Sequence, residues 1–163
     1  MRNVLFLCTA NSARSILAEA ILNRAGAGRF AAFSAGSHPR GEPNPLALEL
    51  LAAKGHPIAA LRSKSWHEFA TPEAPAMHAI ITVCDNAKGE SCPVWPGHPV
   101  QAHWGIPDPA GEGHDGALAD FATAYHRLAT RIEALLALDE DALPTRDWRD
   151  ALIRIGHAAE GAA

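Results

Sequence analysis

Residues 4–7 read VLFL, an apolar run with no polar alternation. A strand that is apolar on both faces must be covered on both faces, and such strands belong to parallel sheets. The first strand is therefore expected over residues 3–7. From Ala13 to Ala25 the apolar positions Ile16, Leu17, Ala20, Ile21 and Ala25 recur at helical spacing, and Gly26 and Gly28 supply a stop. Residues 30–35 read as a second strand closed by Gly36. A helix is expected over 46–54, ended by Gly55, and a short one over 66–70. Residues 77–83 and 100–104 read as the third and fourth strands. Residues 117–138 have the period of a long amphipathic helix, with Leu118, Phe121, Tyr125, Leu128, Ile132 and Leu135 on one face. Strand and helix alternate, which predicts an α/β fold: a mostly parallel sheet with helices on both faces. After residue 138 the pattern changes. Thr145 is placed to cap a final helix that carries Trp148, Leu152 and Ile155 on one side and stops at Gly156. That stripe is expected to dock on the domain, and the closing AAEGAA to fray.

The chain has 163 residues, enough for one domain with a real core. The net charge is −4 and the lysines and arginines do not cluster, which argues against a nucleic-acid or membrane surface. A small anion needs only a local nest of donors. No apolar run approaches the ~20 residues that span a bilayer. MRNVLFLC reads as a first strand and not as a signal peptide, so a cytoplasmic protein is expected. Three cysteines do not make a secreted disulfide framework. Cys84 and Cys92 are too far apart for a short C-x₂₋₄-C hook, so no metal and no cofactor are expected. The nine histidines are scattered, and most read as surface or loop residues. The absence of an extra apolar surface favours a monomer.

The first cysteine is different. Cys8 ends the first strand, and the stretch CTANSARS carries it into the first helix. Open α/β sheets bind ligands at this edge, and helix N-termini present N–H groups to anions. Thr9, Ala10, Asn11, Ser12 and Ala13 are small, so their backbone N–H groups can turn inward around a tetrahedral oxyanion. Arg14 can close such a cradle with a bidentate fork. The same donors favour Cys8 as a thiolate. Ser15 is placed to hydrogen-bond the sulfur, and Asn11 to hold the loop or adopt a left-handed backbone.

CTANSARS resembles the C-x₅-R-S phosphate-binding loop of the low-molecular-weight protein tyrosine phosphatase superfamily, which also contains arsenate reductases. The resemblance runs from residue 3 to about 138 and includes Ser34-Ala35-Gly36 and Asp108-Pro109. It implies a four-stranded parallel sheet with helices on both faces and a phosphate-binding loop after the first strand. It also implies that Asp108 is a general acid. Residues 1–138 would form this domain and residues 139–163 an extension with a short amphipathic helix.

Phosphate and arsenate are near-isosteres, so the loop alone does not choose between a phosphatase and a reductase. VCDNAKGESCPVWPG, residues 83–97, adds Cys84 and Cys92 at the edge where Cys8 lies. The resemblance implies a relay. Cys8 attacks arsenate, Cys84 attacks Cys8 to release arsenite, and Cys92 carries the disulfide outward to an external thiol. HWGIPDP, residues 103–109, is also closer to the reductases: the phosphatases follow Asp-Pro with tyrosines, whereas Pro109 is followed by AGEG. A thiol-dependent arsenate reductase is thus the leading expectation. The alternatives are a phosphatase using Cys8, Arg14 and Asp108, and a non-enzymatic oxyanion-binding or redox-sensing module. The later cysteines are slightly further apart than in thioredoxin-coupled relatives, so glutathione with glutaredoxin stands beside thioredoxin as donor. Some relatives bind potassium near this loop. Asn11, Glu19 and Ser34 match that site, but Lys64 falls near an expected acidic ligand, and its ammonium can take the cation's place.

Overall fold

The computed structural model describes residues 1–83, 95–97, 99–107, 109 and 118–160, with side chains as far as 157. Cys84, Cys92 and Asp108 lie outside the described residues. The strands are β1 (Arg2–Leu7), β2 (Phe30–Ala35), β3 (Ala79–Thr82) and β4 (Val100–His103). All pair in parallel, in the order β2-β1-β3-β4. β1 is central, which is why VLFL has no exposed side: Val4, Leu5, Phe6 and Leu7 are all fully buried. The register sets Leu7 opposite both Ala35 and Thr82, and Thr82 opposite His103. Cys8, Gly36, Val83 and Trp104 therefore leave the sheet along one edge.

The face bearing Val4 and Phe6 packs on four α-helices: α1 (Arg14–Ala25), α2 (Pro45–Ala53), α3 (Leu118–Leu136) and α4 (Thr145–Glu160). The face bearing Leu5 and Leu7 packs on Trp66, Phe69, Met77 and Trp95, with Trp66 and Phe69 supplied by a 3₁₀ helix over Trp66–Phe69. Among the described residues, helices thus flank both faces, and no helix is long and apolar enough to cross a membrane.

The expected elements are present with shifted ends. α2 begins at Pro45 because Asn44 caps it, its side chain accepting from the Leu46 N–H at 2.9 Å, and proline suits a first helical position. β3 is shorter than the apolar run 77–83, although ladder-like bonds continue on either side, from His78 N to Asn3 O and from Val83 N to Leu7 O. Leu118 stands 40% exposed at the first position of α3, so the helix's buried stripe effectively begins at Phe121. The largest departure is Gly156. It does not stop the last helix, which runs on to Glu160. A Cβ there would collide with the His103 carbonyl oxygen, so the glycine permits close approach of helix to strand.

α4 docks on the body of the protein through Trp148, Ala151 and Leu152. Its root is held by two arginines, Arg2 in β1 and Arg29 just before β2. Arg2 donates to Glu140 O at 2.6 Å and lies over the Trp148 ring at 4.7 Å. Arg29 pairs with Glu140 at 2.6 Å and donates to the Leu136 and Leu138 carbonyls.

Candidate active site

Cys8 follows β1 directly and is buried, and its N–H donates to Ala35 O at 3.2 Å. The loop that follows is held from outside by its carbonyls. Thr9 O accepts from His38 N (2.9 Å), Ala10 O from Arg40 N (3.0 Å) and Ser63 Oγ (3.1 Å), and Ser12 O from Asn44 N (2.8 Å). In a trans peptide the N–H points opposite to the C=O. Each tethered carbonyl therefore turns the next N–H, those of Ala10, Asn11 and Ala13, toward the inside of the loop.

The Asn11 side chain is committed away from that interior. Asn11 is fully buried with φ at +45°, the left-handed conformation that asparagine tolerates. Its Nδ2 donates to Ser15 Oγ at 2.8 Å, and its Oδ1 accepts from Lys64 N at 2.9 Å. Ser15 Oγ, already accepting from Asn11, keeps its own proton to donate. The N-cap of α1 is Ala13, with no side-chain cap and no acidic residue in the first turn. An uncapped helix start leaves its dipole end open to an anion. Gly36 makes the tight turn possible: a Cβ there would sit 2.5 Å from Thr9 O, 2.7 Å from Cys8 O and 2.9 Å from Asn11 N.

Arg14 opens α1 and is half-buried, and its Nη1 donates to Ile106 O at 3.1 Å. This bond ties the start of α1 to the segment that follows β4. The structure thus brings together Cys8, Thr9, Ala10, Asn11, Ser12, Ala13, Arg14 and Ser15 around one turn.

Beneath the loop lies a charged cluster. Glu19 on α1 accepts from Ser34 Oγ at 2.8 Å and lies 3.7 Å from Lys64 Nζ, and both charged residues are buried. Burial pushes the Glu19 carboxyl above its ordinary range, with Lys64 and Ser34 pulling against it. Burial likewise pushes the Lys64 ammonium down, with Glu19 pulling against that. Sequence reasoning placed Lys64 beside Glu19 and Ser34. It missed that Ser63 and Lys64 fasten the loop, because Ser63 acts on a loop carbonyl and Lys64 through its backbone N–H. Asn44 was missed in the same way, although Asn-Pro before an apolar run is a helix-start signal.

The fold, with a cysteine turn after its first strand, defines a class. The low molecular weight phosphotyrosine protein phosphatase family matches residues 3–143, and the chain belongs to it. Within that family its likeness is to arsenate reductases. It is 34% identical over 111 residues to an arsenate reductase of Brevibacillus brevis, covering 68% of this chain and 79% of that one. A thioredoxin-dependent arsenate reductase of Corynebacterium glutamicum superposes with a TM-score of 0.61 at 27% identity, over 83% of this chain and 60% of that one. A low molecular weight protein tyrosine phosphatase from T. tengcongensis shares the fold, with a TM-score of 0.64 at 22% identity, over 83% of this chain and 98% of that one.

Proposed function

We propose that the chain is a thiol-dependent arsenate reductase working in the cytoplasm as a monomer, with residues 1–138 as its reductase domain. The observation that carries this is the likeness to arsenate reductases, joined to a loop whose carbonyls are tied outward and whose helix start is uncapped, with Cys8 at its entrance. The N–H groups of residues 9–13, led by those of Ala10, Asn11 and Ala13, and the Arg14 fork hold the arsenate oxygens. The Cys8 thiolate forms an S–As(V) bond, and Asp108 protonates the departing oxygen as water. Ser15 donates its hydroxyl proton to the Cys8 sulfur and eases the later departure of arsenic. Cys84 then attacks Cys8. The S–As bond breaks with its electron pair on arsenic, giving arsenite and a Cys8–Cys84 disulfide. Cys92 attacks Cys84, frees Cys8 and presents a Cys84–Cys92 disulfide to thioredoxin or to glutathione with glutaredoxin.

The test is arsenate-dependent NADPH consumption by the reduced protein, run with thioredoxin and its reductase and separately with glutathione, glutaredoxin and glutathione reductase. Turnover with thioredoxin supports the three-cysteine relay. Turnover with glutathione alone keeps the reductase and removes Cys92 from it. Cys8→Ser is expected to abolish turnover. Cys84→Ser is expected to stop it after the arsenic adduct, so wild-type rates from that variant would overturn the relay. A phosphatase using Cys8, Arg14 and Asp108 is the second reading, favoured by the family match itself. It would hydrolyse a phosphopeptide efficiently, with or without Cys84.

A further inference from the structure

The last helix begins past the family match, which ends at residue 143, whereas α4 spans Thr145–Glu160. It grips one residue in two independent ways. Trp104 is fully buried and its Nε1 donates to Leu152 O at 2.9 Å. One turn later Gly156 lies against the same residue: a Cβ there would come within 2.9 Å of Trp104 Cδ1 and collide with His103 O. The indole also meets Phe6 of β1, with ring centroids 6.2 Å apart.

Trp104 sits where β4 leaves the sheet. Its N–H donates to Thr82 O at 2.7 Å, and two residues on, Ile106 N donates to Val83 O at 3.2 Å. Gly105 O accepts from Arg131 of α3 at 3.2 Å, and Ile106 O accepts from Arg14 at 3.1 Å. A short strut, Trp104-Gly105-Ile106, therefore runs from the helix outside the family match to the guanidinium at the cysteine loop. We infer that α4, acting through Trp104 and Ile106, sets the position of the Arg14 guanidinium. This makes Trp104 and Gly156 positioning residues for oxyanion binding, and it rests on the reading of Arg14 as an oxyanion ligand.

A helix that merely covered β4 would contribute stability and leave the cradle alone. The two roles separate in a binding measurement on the full chain. Inorganic phosphate is titrated calorimetrically into the wild type, Trp104→Phe, Arg14→Lys and the double variant, with thermal stability recorded for each. Trp104→Phe keeps an aromatic ring and removes the N–H. It is expected to weaken phosphate binding about threefold to tenfold, the range of one neutral hydrogen bond. In the Arg14→Lys background the same change is expected to cost nothing further, since the effect travels through the guanidinium. Gly156→Ala is the second variant, in case the first folds poorly, and should weaken phosphate in the same way by displacing His103 and Trp104.

Wild-type affinity in a Trp104→Phe protein that has only lost thermal stability would overturn the inference. So would full additivity with Arg14→Lys. A wild type that binds neither phosphate nor arsenate would overturn the reading of the cradle itself. Binding that is lost in Arg14→Lys but kept in both Trp104→Phe and Gly156→Ala would overturn this inference alone.

Discussion

Gly36 is the residue on which the loop's shape rests. Three backbone atoms, Cys8 O, Thr9 O and Asn11 N, occupy the space a Cβ would need, and backbone does not swing aside as a flexible side chain would. Gly36→Ala should leave the sheet intact and push the loop open. We expect phosphate affinity, measured by calorimetry, to fall at least about tenfold, or ~1.4 kcal/mol, with an unchanged far-UV circular dichroism spectrum. At this scale much of the site was legible. Cys8, Arg14 and the small residues between them announce themselves by spacing, and Asn11 adopts the left-handed backbone that its residue type permits. Gly36 was legible only as the close of a strand. Its closeness to the loop follows from the pairing of β1 with β2, which brings residues 8 and 36 together without any local mark in the sequence.

Between elements, the cluster of Glu19, Ser34 and Lys64 ties α1 to β2 and to the segment before the 3₁₀ helix. Removing one member of a buried ion pair leaves a charge without its counterion, at about 3–5 kcal/mol, while replacing both with apolar residues of similar size is often neutral. Lys64→Met is therefore expected to lower the urea midpoint sharply, and Lys64→Met with Glu19→Leu to recover most of it. If the double variant were as unstable as the single one, the cluster would be packing the loop by shape and not by charge. The elements themselves were readable from periodicity, since continuous apolar runs and 3.6-residue spacing are local properties. Their ends were not. Gly156 reads as a helix stop because glycine usually stops helices, yet here it answers a long-range contact with His103. The last helix was expected in the right place, but Thr145 opens it and does not cap it, and its contact with Trp104 was not foreseen, because nothing in TRDWRDALIRIG names Trp104.

Over the whole molecule, pH acts most clearly through His56, a histidine that the fold has taken out of water. His56 is buried, with Nε2 2.7 Å from the Tyr125 hydroxyl. Burial holds its imidazole below the usual 6.5, aided by the Arg24 and Lys54 charges, while a bond to the Ala20 backbone pulls the other way. The unfolded chain therefore takes up a proton at higher pH than the folded one does. Stability should be full above pH 6.5 and fall as the pH drops from there toward the folded-state value. His78 is shifted in the same direction by burial and Arg2. The difference in urea stability between the wild type and His56→Gln, followed from pH 8 to 5, should change with that sign, and a flat difference would remove His56 as its source. The clasp between Arg2 and Glu140 joins residues 138 positions apart. On the ribosome β1 emerges before either of its sheet neighbours, β2 and β3, and well before α4. At about 5–20 residues per second the most apolar stretch of the protein waits many seconds for its cover. The cradle that begins at residue 8 acquires the strut behind its arginine only when Leu152 has left the exit tunnel, so any pause or chaperone encounter during synthesis meets VLFL before that strut exists.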